Sequence, residues 1–153
     1  MADVSTFDLR EMTEADLPAV LEVETACFAE PWTPGMLQAE LRHPLSWHRV
    51  ALCENDELVG FIVARYYGDV WHVMDLAVAS QCRRGGLGGR LLDELLGHTP
   101  RDVPVVLEVR EGNVGAIALY RNRGFRDSGR RPHYYANTGE AALLMVYGPE
   151  VAW

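Results

Sequence analysis

The sequence predicts a mixed α/β domain: a single, mostly antiparallel sheet of about seven strands flanked by about four helices. Three observations predict it. A chain of 153 residues suits one domain with one core, burying roughly two thirds of its unfolded surface. Its strand-like and helix-like runs follow the order β-α-α-β-β-β-α-β-α-β-β, which closes around one sheet. No repeat, low-complexity tract or linker interrupts residues 1–153, so the whole chain is read as one domain.

Taken in order, residues 5–11 (STFDLRE) read as a short strand. Thr13, with Asp16 three positions on, offers an N-cap to an apolar-periodic helix running through Leu17, Val20, Leu21 and Val23 to Phe28. Pro18 is tolerable there only because it stands near the helix start. A second helix is expected from Thr33, with Pro34 in its first position, ending before Pro44. Three strands follow at 47–53, 57–67 and 70–79, with Asn55 and Asp56 turning the first into the second, as antiparallel neighbours. Leu87, Leu91, Leu92, Leu95 and Leu96 form a stripe at helical spacing, while Arg90, Asp93 and Glu94 face away. Residues 104–110 (PVVLEVR) read as a buried strand, and Asn113 caps a helix through Ile117, Leu119 and Tyr120 that Gly124 ends. Two more strands, at about 125–131 and 141–147, complete the sheet.

Composition narrows the function classes. With 48% hydrophobic and 24% charged residues and no run approaching the roughly twenty apolar residues of a membrane span, a soluble protein without a membrane partner is expected. The stretch MADVSTFDLREM carries acids and no apolar segment where an export signal would be basic and then apolar, so the expected location is the cytoplasm. Cys27, Cys53 and Cys82 fit neither a disulfide framework nor a metal clip and are read as reduced thiols. A net charge of −8 argues against direct nucleic-acid binding. The histidines, His72 and His133 among them, show no HExxH or HxH spacing, so no metal is expected.

The chemistry-bearing stretch is QCRRGGLGGRLLDELL, residues 81–96. It lacks the Lys-Ser/Thr of a nucleotide-binding phosphate loop, and its glycines miss the offset of a dinucleotide fold. What remains is R-x-x-G-x-G, Arg83-Arg84-Gly85-Gly86-Leu87-Gly88, opening a helix after an apolar strand. Bare backbone amides and the positive helix end would face one anion there, and a pyrophosphate suits that geometry. Arg83, Arg84 and Arg90 add local positive charge without an acid among them. The plainer alternative is a tight turn beside a solvated basic face.

This stretch, LAVASQCRRGGLGGRLL, resembles the acetyl-CoA pyrophosphate loop of the GNAT (GCN5-related) N-acetyltransferase superfamily. CFAEPW (27–32), LEVREGNVGAIALYRNRGF (107–125) and RRPHYY (130–135) are similar to its RimI-type members, bacterial N-terminal acetyltransferases of ribosomal protein alanine. The resemblance covers nearly the whole chain. It implies the GNAT fold, acetyl-CoA as cosubstrate, no metal, a protein N-terminus as partner, and a monomer or weak dimer. It also implies that Leu76, Ala77, Val78, Arg83, Arg84, Gly85, Gly86, Leu87, Gly88, Gly89, Asn113 and Tyr120 hold acetyl-CoA.

Acetyl transfer to an amine needs a base, a held carbonyl and a proton for the departing sulfur. Glu108, inside VVLEV, is the candidate base, since burial raises a carboxyl's pKa into a useful range; the alternative is a strand-surface Glu paired with Arg110. Tyr120 is the candidate acid. From Glu108 to the strand end at Glu111 is about 10 Å at strand rise, and from Asn113 to Tyr120 about 10 Å at helical rise, so a helix folded back along the strand brings both to one level. The resemblance implies the same roles, Glu108 acting through water. It also implies that Asn113 contacts the pantetheine region, although a plain N-cap explains that residue equally well. A backbone amide near Ala77 and Val78 would polarise the thioester carbonyl. Cys82 as an acyl-carrying nucleophile is rejected for want of a suitably spaced histidine.

An α-amine, ordinarily near 8 against about 10.4 for lysine, suits a mild base. By likeness to the family, Tyr134 and Tyr135 line the peptide groove, with strand aromatics as the alternative; Trp32 forms the opposite wall or packs in the core. His72 and Asp75 either tune the acceptor pocket or are structural. Two departures touch the acceptor: Asp75 replaces a usual Asn, and GEAALLM (139–145) lacks a usual acid. An added negative charge at Asp75 would favour a basic peptide or a polyamine. The rival activities are therefore a small-amine (polyamine or aminoglycoside) acetyltransferase and a non-catalytic acetyl-CoA sensor.

Overall fold

Residues 59–64 form an unbroken buried run within one strand, and such a run is stable only where both faces of the sheet are covered. In the computed structural model, which describes residues 6–152, that strand is the third of seven. The strands are β1 (Asp8–Arg10), β2 (Ser46–Leu52), β3 (Leu58–Tyr66), β4 (Trp71–Val78), β5 (Val105–Arg110), β6 (Arg126–Arg131) and β7 (Ala142–Tyr147). The helices are α1 (Leu17–Cys27), α2 (Pro34–Arg42), α3 (Leu87–His98) and α4 (Val114–Asn122). The fold class expected from the sequence holds, element by element and in order.

The sheet runs β1-β2-β3-β4-β5-β7-β6, antiparallel except for β4 against β5. The last hairpin is not laid down in chain order: β7 slots between β5 and β6. One face packs Leu87, Leu91, Leu92 and Leu95 of α3 and Ile117 and Tyr120 of α4 on Val105, Leu107 and Val109 of β5. The other packs Val20 and Val23 of α1 and Leu37 of α2 on Phe61, Val63 and Ala77.

Boundaries differ from expectation where a specific group intervenes. Ahead of α1, residues Glu14–Asp16 form a single tight 3-10 turn. The Asp16 carboxylate accepts from the Thr13 amide at 2.7 Å and from the Arg10 guanidinium at 2.8 Å, which fixes that turn before the α-helix begins at Leu17. Strand β1 covers three residues of the expected 5–11, and Ser5 lies outside the described residues. The caps at Thr33 and Asn113 form as expected, their side chains accepting from the Met36 and Ala116 amides at 3.1 and 3.2 Å. All three cysteines are free thiols.

Two irregularities in β4 shape everything near the site. Its pairing with β3 slips between Val63 and Ala64, leaving Met74 as an extra residue, a β-bulge that turns Leu76 and Val78 toward the α3 face. Its parallel pairing with β5 lasts for two rungs only, Trp71 with Val105 and His72 with Val106, after which the strands part.

The turn into α3 needs Gly86, which holds φ at +82° as the residue before the helix. A side chain there costs about 1 kcal/mol or more. Gly86→Ala is therefore expected to lower the melting temperature by roughly 2–4 °C, read by calorimetry.

Candidate active site

Where β4 and β5 part, a cleft of about 920 Å³ opens between the end of β4, the glycine turn and α4. Leu76, Ala77, Val78, Arg83, Arg84, Gly86, Leu87, Gly88, Gly89, Asn113 and Tyr120 all line it; Gly85 does not. The glycines serve different ends. Gly86 supplies the left-handed backbone of the turn, whereas a Cβ at Gly88 would stand 3.2 Å from Leu119 Cδ2, so that glycine lets α3 approach α4. The first turn of α3 carries no acid, leaving its positive end uncompensated beside the cleft.

The arginines divide. Arg84 lines the cleft from a left-handed backbone, φ +69°. Arg83 crosses it: Nε donates to the Val78 carbonyl at 3.2 Å, and Nη2 lies 3.2 Å from Cys27 Sγ. Arg90 turns away, donating to the Phe7 carbonyl at 2.7 Å and lining a separate cavity of about 450 Å³ with Trp47 and Arg49. The three-arginine cluster of the sequence is thus two residues at the cleft, because the Arg90 side chain is drawn away to the Phe7 carbonyl.

Tyr120 sits in the cleft wall, its ring 5.8 Å from Phe125. Burial, reinforced by Asp75 and then Tyr135, pushes its phenol well above the ordinary value, so it holds its proton at neutral pH.

Glu108 projects from the other face of β5. Leu107 and Val109 pack toward α3 and α4, which by strand alternation sends Glu108 toward the α1 and α2 side. Glu108 and Tyr120 thus leave β5 and α4 on different faces of the sheet, and the parting of β4 and β5 joins the two sides. Arg110 is not its partner: that guanidinium bonds Asn137 and Thr138 and stacks 3.9 Å over the Tyr135 ring. Instead Glu108 Oε2 lies 2.5 Å from His72 Nε2, reached from the last paired rung of β4.

Aromatic groups surround this carboxylate. Tyr134 and Tyr135 belong to the irregular segment between β6 and β7, not to a strand, and meet edge to face at 5.0 Å. Burial raises both phenols above their usual value, and the charge of Glu108 contributes to each. Tyr67 stands 6.1 Å from the His72 ring. The link between α1 and α2 closes the far side: Glu30 accepts from the Asn137 amide at 3.1 Å, and Trp32 packs partly on the core with its amide donating to Glu24 Oε2 at 2.8 Å.

Asp75 corrects an expectation. It is 8% exposed, and its carboxyl lies beside that of the still more buried Glu24. Glu24 Oε1 and Asp75 Oδ2 have no hydrogen-bond partner, and two carboxyls buried side by side are tolerated when one of them keeps its proton. Burial, then Glu24, pushes the Asp75 carboxyl up to about 9. Asp75 is therefore a neutral donor at pH 7 and adds no negative charge to the acceptor side. Glu24 was missed from the sequence, although a carboxylate four positions after Val20 on an apolar helix face is a readable sign. The pairing of His72 with Glu108 had no local sign, since the two are 36 residues apart.

Comparison with known proteins agrees with this geometry. The sequence model of the acetyltransferase (GNAT) family matches residues 17–125. The chain is 34% identical over 150 residues to the N-alpha-acetyltransferase RimI of Mycobacterium tuberculosis, covering 94% of each protein. It is 30% identical over 142 residues to the ribosomal protein bS18-alanine N-acetyltransferase of Escherichia coli, covering 90% of this chain and 95% of that one. The crystal structure of the Escherichia coli ribosomal-protein-S18-alanine N-acetyltransferase superposes with a TM-score of 0.84 at 27% identity, over 96% of both chains. Arabidopsis thaliana NAA60 in complex with acetyl-CoA shares the fold, with a TM-score of 0.82 at 20% identity over 93% of this chain and 98% of that one.

The neutral Asp75 makes stability depend on pH. Its folded value lies above the unfolded one, so its contribution is full below about pH 4 and is lost as pH rises toward about 9. Asp75→Asn keeps a donor to Glu24 without needing the proton. The variant is expected to melt higher than the wild type at pH 8, by roughly 2–4 °C for each 1 kcal/mol regained, with the gain shrinking toward pH 4.

Proposed function

The chain belongs to the GNAT acetyltransferase family, and from that premise we propose that it moves an acetyl group from acetyl-CoA to the α-amine of a protein N-terminus, the alanine of a small-subunit ribosomal protein first among candidates. The observation that carries this reading is the early parting of β4 and β5, beside which lie a glycine-turned cleft lined from both sides of the sheet and an aromatic-ringed carboxylate. The RimI-type relatives at 30–34% identity support the choice of acceptor.

The residues present fit acetyl-CoA. The turn at Arg84–Gly86 and the uncompensated start of α3 suit a pyrophosphate, and Leu76, Val78, Ala116 and Leu119 give the cleft an apolar wall for a slender chain. Acetyl-CoA would supply the activated acetyl group there. Asn113 both caps α4 and lines the cleft, so its two readings are compatible. Tyr120, protonated in the cleft wall, would give a proton to a departing sulfur. Glu108, across the parting strands, faces the side where an amine would arrive, and Tyr134 and Tyr135 flank that approach. An α-amine needs only a mild base, which suits one carboxylate paired with one imidazole.

Turnover of acetyl-CoA with short peptides beginning Ala-Arg, Ser or Met, with an N-acetylated Ala peptide and with spermidine, tests the acceptor. The Ala-Arg peptide is expected to be acetylated and the blocked peptide not. Activity confined to spermidine would reject the N-terminal reading. Glu108→Gln is expected to cost about 100-fold or more in kcat with the KM for acetyl-CoA nearly unchanged. An unaltered kcat in that variant would reject Glu108 as the base, and a wild type that acetylates none of these amines would favour an acetyl-CoA sensor.

A further inference from the structure

Resting on the amine-acetylation reading, we infer that Asp75 is a positioning residue for the acceptor: its neutral carboxyl keeps the buried Glu24 seated, Glu24 holds the link between α1 and α2, and that link walls the side where the amine arrives. Ionisation of Asp75 would set two like charges together in a site sealed from water and unseat the wall. The glycine turn and α3, which form the coenzyme side, do not depend on this pair.

The geometry sets the two acids against each other. Asp75 follows the bulge of β4, and Glu24 stands in the last turn of α1. They are 8% and 2% exposed, and Asp75 Oδ2 and Glu24 Oε1 are both without a hydrogen-bond partner. Among the described residues neither forms an ion pair. Two ionised carboxylates buried side by side with no cation are strongly disfavoured, so one proton stays with the pair. Burial, then Glu24, keeps that proton on Asp75, whose carboxyl is pushed up to about 9. The other oxygen of Glu24 gives the pair its reach. Oε2 accepts from the Trp32 amide at 2.8 Å, and two residues earlier Glu30 accepts from the Asn137 amide at 3.1 Å. The same link therefore meets the segment between β6 and β7 that carries Tyr134 and Tyr135.

The surrounding groups leave Asp75 answerable to Glu24. On its own strand the Leu76 amide opposes the shift, as the weakest of its causes. Val63, its partner on β3, is apolar. From α4, Tyr120 is a phenol that keeps its proton. At the end of α1, Cys27 Sγ donates to the Val78 carbonyl at 3.4 Å, and the Arg83 guanidinium is held at that same carbonyl. Arg65 of β3 is paired with Glu40 of α2, and His72 with Glu108. The folded value of Asp75 lies above the unfolded one, so the wall is seated while pH stays below about 9 and is released as pH rises through it. Because Asp75 acts through Glu24 and the link, it is a positioning residue, distinct from the groups that meet the amine.

Asp75→Asn keeps the shape of the side chain and removes its titrating proton. With acetyl-CoA and whichever amine the wild type acetylates, the acceptor KM at about pH 9.5 is divided by that at about pH 7; this ratio is expected to be roughly 10 times larger in the wild type than in the variant. The KM for acetyl-CoA is expected to change alike in both proteins. Titration of the acceptor amine itself is common to both and cancels in the comparison. Equal ratios overturn the proposal. So does a wild-type KM for acetyl-CoA that climbs in step with the acceptor KM, because that marks a general loosening of the fold. An asparagine variant that fails to fold is replaced by Glu24→Gln, which removes the other charge and is expected to give the same low ratio. A wild type active on spermidine alone rejects the N-terminal acceptor yet leaves the Asp75 comparison intact on spermidine. A wild type that acetylates no amine overturns both.

Discussion

The short pairing of β4 with β5 is the constraint on which the rest of the molecule depends. Two parallel strands that shared every rung would seal the sheet. Here they share two, then diverge, and a cleft of about 920 Å³ occupies the space. The bulge at Met74 contributes directly, because an extra residue adds twist and re-aims the side chains beyond it. It turns Leu76 and Val78 to the α3 face while leaving His72, Asp75 and Ala77 on the other. Strand β7, inserted between β5 and β6, supports β5 along its whole length and keeps it straight while β4 bends away.

On the α1 and α2 face the sheet carries two paired carboxyl sites, one acid against acid and one acid against histidine. Glu24 and Asp75 are both buried, so one of them is kept neutral by a shared proton, and the pair ties α1, through the Trp32 amide, to the strand beside the cleft. Glu108 is only partly buried and meets a histidine with access to solvent. A closed pair of the first kind holds the α1–α2 link in place. The same carboxylate chemistry is thus sealed from water in one place and left open to it in the other.

Much of this was legible in the sequence because the signals were local. Leucine spacing gave α3, and Thr33 and Asn113 gave caps that form as expected. The R-x-x-G-x-G turn located the cleft. What stayed hidden depends on pairing register, which no local pattern encodes. The contact of His72 with Glu108, the insertion of β7, and the bulge that rotates half of β4 all arise between segments distant in the chain. Arg90 and Asp75 were misjudged for a related reason. Each was weighed by its charge before its direction was known: Arg90 points away from the cleft, and Asp75 points into a buried acid that neutralises it.

On the proposed reading, the sheet would also let an acid and a base serve one reaction without cancelling each other. A phenol and a carboxylate in direct contact would settle a proton between themselves and neither would be poised for a substrate. Tyr120 stands on the α4 side in an apolar wall, where burial holds its proton firmly. Glu108 stands on the opposite side beside an imidazole open to water. Environments that push titratable groups apart are what assign the roles of donor and acceptor. Here the separating element is the strand β5 itself, whose alternation sends Leu107 and Val109 one way and Glu108 the other. Substrates that meet in the opening between β4 and β5 would touch both groups, while those groups do not touch each other.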